Sequence, residues 1–454
     1  MKINLISLGC AKNLVDSEVI AGILSKDGHR FTNDLSNADA IILNTCAFIG
    51  PARSEGKHYI NRISNILKKR RAKYHTNKKP LFILSGCLPQ LEKDRILNEY
   101  PEIDAVVGSS DFTKIPGIIK DKILLPQRRD QNDKVGRRQQ SQISSITRPE
   151  FIYDSSYPRL VSTGNSYAYV KIAEGCDNGC NYCLIPELRG SYRERKIDDI
   201  VSEARRITDT GIKELILISQ DTTYYGTQQY GKKMLDQLIR KLAGISSLKW
   251  LRILYTHPGH FTDKLINTIA EVNKVCKYID IPIQHTDDDI LKRMGRPKGR
   301  VIFDTLDKLR KRINNLALRT TVMVGFPGET EKHFNKLLRD IKTLEFDSLG
   351  CFMFSMQKGT NVYRTNGNVL KEIKKHRFHK IMATQQKIVL KKNKQHIGKI
   401  YDVLIDSYNY GHTEFQSPEV DGKVFFKSSL VPGVFVKIKI LGSNGIYDLQ
   451  GDAT

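Results

Sequence analysis

Short apolar runs alternate with amphipathic stretches along most of this chain, and that rhythm predicts its architecture. Over residues 1–110, INLISLG, AIILNT, LFILSG and IDAVVG read as strands, and Asp16 to Lys26 and Pro51 to Arg71 as helices. Apolar runs alternating with helices predict a parallel sheet covered on both faces. Residues 127–147 (QRRDQNDKVGRRQQSQISSIT) are polar, lack periodicity and read as a linker. A second series of strands follows: SYAYVKIA, ELILIS, KWLRILY, YIDIPIQ, RTTVMVG and SLGCFMFS. Helical segments fall between them at Asp198 to Thr210, Lys233 to Leu242, Phe261 to Val275, Asp288 to Met294, Val301 to Asn314 and Glu331 to Thr343. Six βα units in succession suit a partial α/β barrel better than an open sheet. A basic helix, Lys371 to Lys394, leads out of it. From residue 397 the pattern changes to period two. IYDVLIDSY, HTEFQS, GKVFFKS, GVFVKIKIL and NGIYDLQG, punctuated by Pro-Gly, Asn-Gly and Asp-Gly, predict a small five-stranded β-barrel of OB-like build. The expected class is α/β, with a parallel-sheet domain over 1–125, a polar linker over 126–160, a barrel with its trailing helix over 161–394 and a β-barrel over 395–454.

No run approaches the length of a membrane span. The N-terminal apolar run is too short for a signal peptide and lacks a small-residue cleavage site, so a cytosolic protein is expected. The formal charge of +24 suggests a polyanionic partner, nucleic acid or a ribosomal particle, with mere solubility as the rival. Eight cysteines in a cytosolic chain of this length do not make a disulfide framework. Their placement is the stronger signal.

Cys176, Cys180 and Cys183 stand in CxxxCxxC spacing within AEGCDNGCNYCLIPELRG, directly after a strand. Three thiolates on one short loop can hold three irons of a cubane cluster and leave the fourth open to a small chelating ligand. A structural zinc site would want a fourth Cys or His close by in a paired arrangement. Core-packed thiols are the blander reading, and three within eight residues of a Gly-rich loop argue against it. Cys10, Cys46 and Cys87 look unrelated, but each ends an apolar strand: LISLGC, AIILNTC and LFILSGC. Parallel strands bring their C-terminal ends to one edge, so these thiols can converge without a local motif. Gly9 and Gly86 allow the tight backbone this needs. The rival is that Cys is a small buried hydrophobe. Repetition of the strand–Cys pattern favours a second, three-Cys cluster.

The CxxxCxxC spacing with an aromatic, Tyr182, before the last Cys resembles the radical S-adenosylmethionine superfamily. That resemblance implies an open iron that binds S-adenosylmethionine through its amino and carboxylate groups, and a 5′-deoxyadenosyl radical that abstracts hydrogen. The pair of triads in this order resembles the methylthiotransferase family over nearly the whole chain, with the last module like the TRAM domain. SLGCAKNLVDSE, NTCAFI, SGCLPQ, ISQDTTYYG, DIPIQHTDDDILKRMGRP and VGFPGETE resemble the branch that modifies a ribosomal protein. The tRNA-modifying branches usually carry Gln-Met-Asn or a similar run after the first Cys, where this chain has Ala11-Lys12-Asn13. The resemblance implies two [4Fe-4S] clusters, an auxiliary one on Cys10, Cys46 and Cys87 and a radical one on Cys176, Cys180 and Cys183. One S-adenosylmethionine would methylate a sulfur attached to the auxiliary cluster, and a second would supply the radical. The implied product is a methylthio group on the β-carbon of an aspartate in small-subunit ribosomal protein uS12. A flavodoxin- or ferredoxin-type electron donor and a sulfur source are implied as partners.

Other residues carry weaker signals. Gln220 and Asp221, after the second barrel strand, are candidates to hydrogen-bond the amino group or ribose of S-adenosylmethionine, with a helix cap as the rival. Gly325, Gly328 and Glu329 lie in GFPGET after the fifth strand, where glycines would let the backbone approach the adenosyl group; an ordinary turn is the rival. Gln284 and His285 end the fourth strand and are expected to face the cavity, with a purely structural histidine as the rival. Arg189, Arg193 and Arg195 could meet a carboxylate of the cofactor or substrate, or form a solvated basic face. Cys276, on a helix, and Cys351, on a strand, read as structural, and KKRRAK (68–73) as an exposed helix end that could touch ribosomal RNA.

Two other functions fit parts of the pattern: a tRNA methylthiotransferase acting at C2 of a modified adenosine, and a non-catalytic iron–sulfur protein that binds RNA or ribosomes. From residue 397 onward five lysines face seven acidic residues. A barrel that clamps tRNA should be clearly positive, whereas a slightly negative one suits a basic ribosomal protein. The open coordination position of each triad argues against a purely structural role.

Overall fold

The structure, a computed structural model, describes residues 1–74, 80–124, 142–363 and 365–454. It divides into two compact units. The first is Met1–Ser162 with Glu174–Asp177 and Leu184–Arg193; the second is Thr163–Ala173, Asn178–Cys183 and Glu194–Thr454.

The first unit is a six-stranded parallel sheet in the order β2-β1-β3-β4-β5-β6. Its strands are β1 (Lys2–Ser7), β2 (Arg30–Phe31), β3 (Ala40–Thr45), β4 (Leu81–Gly86), β5 (Ala105–Val107) and β6 (Ile143–Ser145). Helices α1 (Ala11–Lys26), α2 (Gly50–Tyr74), α3 (Cys87–Glu92), α4 (Arg95–Glu99), α5 (Ile115–Leu124) and the short α6 (Ile185–Arg189) belong to this unit. Every residue of β3 is buried, as expected for a central strand covered on both faces. Helix α1 starts directly after Cys10, five residues before the Asp16 start that the apolar pattern predicts. Its first turns carry buried polar residues, Lys12, Asn13 and Asp16 among them, so hydrophobic periodicity could not register them.

The linker expected over 126–160 is not a linker throughout. Ile143–Ser145 form β6, which pairs parallel with β5 at the sheet edge. Backbone bonding and side-chain ties hold it. Ile143 N–H donates to Asp104 O at 2.9 Å, Gln142 Nε2 to Ile103 O at 2.9 Å, and Thr147 N–H to Asp111 Oδ2 at 2.8 Å. A polar edge strand has no apolar alternation to reveal it. Residues 126–141 of the expected linker lie outside the described residues.

The second unit contains β7 (Tyr167–Lys171), β8 (Glu214–Ile218), β9 (Trp250–Ile253), β10 (Val275–Asp280), β11 (Ala317–Val324) and β12 (Ser348–Met353), all parallel and adjacent in chain order. Helices α7 (Ile197–Asp209), α8 (Leu235–Ala243), α9 (Asp263–Glu271), α10 (Asp288–Met294), α11 (Gly299–Arg312) and α12 (Glu331–Leu344) alternate with them. The result is the expected partial barrel of six βα units. One boundary differs: α9 ends at Glu271, and Cys276 lies on β10, not on a helix. Helix α13 (Lys371–Lys394) follows, then a closed barrel in the order β13-β14-β15-β17-β16: β13 (Ile400–Ser407), β14 (Tyr410–His412), β15 (Val424–Phe425), β16 (Phe435–Asn444) and β17 (Asp448–Ala453). HTEFQS is a strand only at its first residue. Gln416 Oε1 accepts from Thr413 N–H at 3.2 Å and Oγ1 at 2.9 Å, which closes a turn there.

A buried ionic network joins this barrel to the βα series. Arg252 Nε donates to Glu214 Oε1 at 2.6 Å, and its Nη1 to Glu414 O at 2.7 Å. His412 sits between Glu214 Oε2 at 2.5 Å and Asp406 Oδ2 at 2.7 Å. Tyr278 donates to Asp421 at 2.6 Å and Tyr169 to Glu419 at 3.1 Å. Among the described residues, no helix is long and apolar enough to cross a membrane.

Candidate functional site

Strands β1, β3 and β4 are consecutive neighbours, and each delivers a cysteine just past its C-terminal end. A Cβ built on Gly9 would lie 2.3 Å from Cys46 Cβ and 3.2 Å from its Sγ, so the Cys10 turn and the Cys46 side chain are in contact. Cys87 Sγ lies 3.8 Å from Asn13 Oδ1, on the first turn of the helix that Cys10 opens. Cys46 and Cys87 are buried and Cys10 is partly exposed. Burial, then the charge of Cys10, raises the Cys46 pKa; burial pushes Cys87 up to about 12, against the pull of Arg189. Such thiols stay protonated unless a cation compensates them, and iron does that. The amino end of α1 also faces Cys10 and favours negative charge there. The donor set, its burial and its geometry fit a three-thiolate cluster.

A charged floor lies beside these thiols. Arg189, 3 % exposed, donates from Nη1 to Asp16 Oδ2 at 2.7 Å and to Glu174 Oε2 at 3.3 Å, and from Nη2 to Asn13 Oδ1. Arg193 donates to Phe151 O at 2.7 Å and Ser110 Oγ at 3.2 Å. Arg195, in the second unit, is taken up by Asp199 at 2.6 Å and Glu203 at 2.5 Å. The arginines expected to await a foreign carboxylate, or to form a solvated face, instead bind carboxylates and carbonyls of this chain. Sequence spacing could not distinguish these uses for Arg189 and Arg193, whose partners include residues far along the chain; those of Arg195 lie four and eight residues on.

Cys176, Cys180 and Cys183 follow β7 on one loop. In the first unit, Cys176 N–H donates to Gly190 O at 3.3 Å. In the second, Cys183 N–H donates to Cys180 O at 3.0 Å, and Arg296 Nη1 reaches Cys180 Sγ at 3.9 Å. Tyr182 packs edge-on against Phe326 with ring centroids 6.4 Å apart.

The loops at the C-terminal ends of β8, β9 and β11 hold the remaining candidates. Asp221 is buried, and its oxygens accept from Thr223 Oγ1 at 2.6 Å, Asn178 Nδ2 at 2.7 Å and His260 Nδ1 at 2.6 Å. Burial alone would raise its pKa; His260 and Asn178 hold it below the usual carboxylate value. Gln220 precedes it, half-buried. Glu329 Oε2 accepts from Gly325 N–H at 2.8 Å, and Oε1 pairs with Arg377 at 2.7 Å, so Glu329 staples its own loop. Gly325 has φ +75 and Gly328 φ +84; Lys374 lies against the first and Arg293 against the second. His285 is fully buried and its Nδ1 accepts from Asp287 N–H at 2.9 Å. Burial lowers its pKa to about 3. Cys276 and Cys351 are buried, as structural thiols should be. In 68–73, Lys68 pairs with Glu102 at 2.7 Å and Arg70 donates to Ala38 O at 3.0 Å; the side chains of 71–73 lie outside the described residues.

Sequence reasoning missed His257 and His260. Burial lowers the His257 pKa to about 3, and the two rings lie 4.5 Å apart by centroid. The signal was available: YTHPGH directly follows β9, on the face where parallel strands present their ligands.

Residues 2–108 match an uncharacterized protein family, UPF0004; residues 170–341 match the radical SAM superfamily; residues 397–453 match the TRAM domain. The ribosomal protein uS12 methylthiotransferase RimO of Acetivibrio thermocellus is 42% identical, covering 99% of this chain and 98% of its own. RimO of Caldicellulosiruptor saccharolyticus is 42% identical over 100% and 99%. Among solved structures, the radical S-adenosylmethionine methyltransferase TsrM from Kitasatospora setae, with cobalamin and a [4Fe-4S] cluster bound, is similar with a TM-score of 0.55 at 12% identity, covering 88% of this chain and 80% of that one. At that identity the likeness is one of fold.

Proposed function

Because this chain belongs to the ribosomal protein uS12 methylthiotransferase family of radical S-adenosylmethionine enzymes, we propose that it adds a methylthio group to the β-carbon of an aspartate in uS12. The observation that carries this reading is that three adjacent strands each deliver a cysteine, Cys10, Cys46 and Cys87, just past their C-terminal ends, in a chain that also carries the CxxxCxxC loop. The first three residues are the proposed ligands of one [4Fe-4S] cluster, and Cys176, Cys180 and Cys183 of the other. When bound, the clusters and S-adenosylmethionine supply the reducing electron, the sulfur and the hydrogen abstraction. The chain itself supplies position and dryness. Buried Cys46 and Cys87 seal two corners of the first site, and the loops after β8, β9 and β11 stand at the strand ends where a barrel of this kind receives its ligands. Tyr182, Gln220, Asp221, Gly325, Gly328 and Glu329 are proposed to shape the cofactor wall, Glu329 by holding its loop. A flavodoxin- or ferredoxin-type donor, a sulfur source and a cytoplasmic setting complete the reading.

The charge of the C-terminal barrel supports a protein substrate less than its composition suggests. Asp406, Glu419 and Asp421 are engaged inside the molecule by His412, Tyr169 and Tyr278. Mass spectrometry of uS12 and of tRNA from cells with and without the gene tests the proposal. A gene-dependent methylthio gain on uS12 is expected; a gain confined to tRNA would overturn it. Anaerobically reconstituted protein should also release 5′-deoxyadenosine from S-adenosylmethionine.

A further inference from the structure

We propose that Asn13 is the positioning residue of the three-cysteine site, and that Arg189 carries its position to both arms of the CxxxCxxC loop. The proposal rests on the reading above, in which each trio of thiols binds iron.

Asn13 is fully buried in the first turn of α1, three residues after Cys10. Its amide touches all three cysteine turns. Nδ2 donates to Leu8 O at 3.0 Å, just before Cys10, and to Thr45 O at 2.7 Å, just before Cys46. Oδ1 accepts from Cys87 Sγ at 3.8 Å and from Arg189 Nη2. Two carbonyls on one side and two donors on the other admit a single orientation of the amide, and they use both its protons and both its lone pairs. The Asn13 carbonyl accepts from Asn44 Nδ2 at 3.0 Å, a further tie to the end of β3. A metal centre needs its ligands held to within about 0.5 Å. One side chain bonded at the ends of three strands supplies that hold.

Arg189 extends this hold to the other cysteines. Its Nη1 pairs with Asp16 on α1 and with Glu174. Glu174 stands two residues before Cys176, and α6, which Arg189 ends, begins two residues after Cys183. The two arms close on each other. Cys176 N–H donates to Gly190 O at 3.3 Å, and Tyr192 N–H to Asp177 Oδ1 at 3.1 Å. A Cβ on Gly175, which has φ +77, would lie 2.1 Å from Ser191 O, so the two backbones are in contact there. Leu184 and Leu188 pack into the same core as Cys87. One guanidinium therefore holds Asn13, the helix that Cys10 opens and both stems of the second cysteine loop. Cys87 gives up its proton on binding iron. Arg189 then keeps Asn13 Oδ1 bonded and leaves a positive charge beside the sulfur.

The test uses two full-length chains, each keeping one trio of thiols. The first carries Cys176→Ala, Cys180→Ala and Cys183→Ala; the second carries Cys10→Ala, Cys46→Ala and Cys87→Ala. In the first, Asn13→Ala is expected to lower the iron bound on reconstitution by about half or more, from about four per chain, and to broaden the electron paramagnetic resonance signal of the reduced cluster. Full iron with an unchanged signal would overturn the role of Asn13. In the second, Arg189→Met is expected to weaken S-adenosylmethionine about tenfold, the worth of one hydrogen bond, as read from the change the ligand makes in the cluster's signal. An unchanged titration would overturn the link. Two conservative variants separate position from folding. In the second chain, Arg189→Lys keeps the charge and should restore affinity in part, and Asn13→Asp keeps an acceptor for Arg189 and should bind as the parent does. In the first chain Asn13→Asp should stay poor in iron, having lost both donations to Leu8 and Thr45. Failure of both rescues, with denaturation midpoints lowered in step, would reduce the two residues to supports of the fold and overturn the proposal. Absence of iron from the first chain without further substitution would sink the proposal together with the reading it rests on.

Discussion

His412 is a buried imidazole between two carboxylates. Burial alone would lower its pKa, but Glu214 and Asp406 push it up to about 9. Burial would likewise raise Glu214, which Arg252 and His412 hold below its usual value. The histidine's folded pKa exceeds its unfolded value of about 6.5, so its stabilisation is full below about pH 6.5 and is lost as pH rises through about 9. The expected loss over that window is about 3 kcal/mol. Denaturation followed across it should show this decline, and His412→Gln should be weaker at neutral pH and flatter above it. Arg189 is the matching case in the first unit. Arg189→Met would strand Asp16 and Glu174 without their cation, at about 3–5 kcal/mol. Chemical denaturation of the cluster-free variant measures this, and Arg189→Lys should recover only part, since lysine cannot fork between Asp16 and Asn13.

At the scale of elements, the cysteine geometry depends on how strands end. Gly86 has φ +96, and a Cβ there would lie 2.3 Å from Asn44 Oδ1 and 2.6 Å from Thr45 O. Gly86→Ala should therefore shift the end of β4 and drop the iron content of reconstituted protein by about half, one cluster of two. Iron analysis alongside the unchanged protein checks this; full loading would show that the turn tolerates the change. That Cys10, Cys46 and Cys87 meet was legible in the chain, because an apolar run that stops at a cysteine places a thiol at a sheet edge whatever the intervening length. The partial barrel and the closing barrel were legible for the same reason of period. Strand β6 and the first turn of α1 were not, since polar side chains there are satisfied by distant partners that no local pattern encodes. The role of Arg189 was hidden likewise: a guanidinium reads the same whether its carboxylate is foreign or 173 residues away in the same chain.

Over the whole molecule, the positive excess of +24 lies outside the C-terminal barrel, where five lysines meet seven acidic residues. Helix α13 exposes Lys371, Lys375, Lys380, Lys387, Lys391 and Lys394, of which Lys391 bridges Glu345 at 2.6 Å. Methylthiolation of uS12 within the small subunit should therefore slow as salt rises from about 50 to about 200 mM, because the screening length falls below about 10 Å. The same titration on an isolated uS12 peptide should show a much smaller effect, and equal sensitivity would place the salt effect in the chemistry. The closure of the first sheet has a consequence of its own. Since α5 leaves that sheet and β6 returns to its rim, the interval from 125 to 142 begins and ends on ground already fixed. It is where a reporter protein could be spliced into this chain without interrupting the strands that carry Cys10, Cys46 and Cys87.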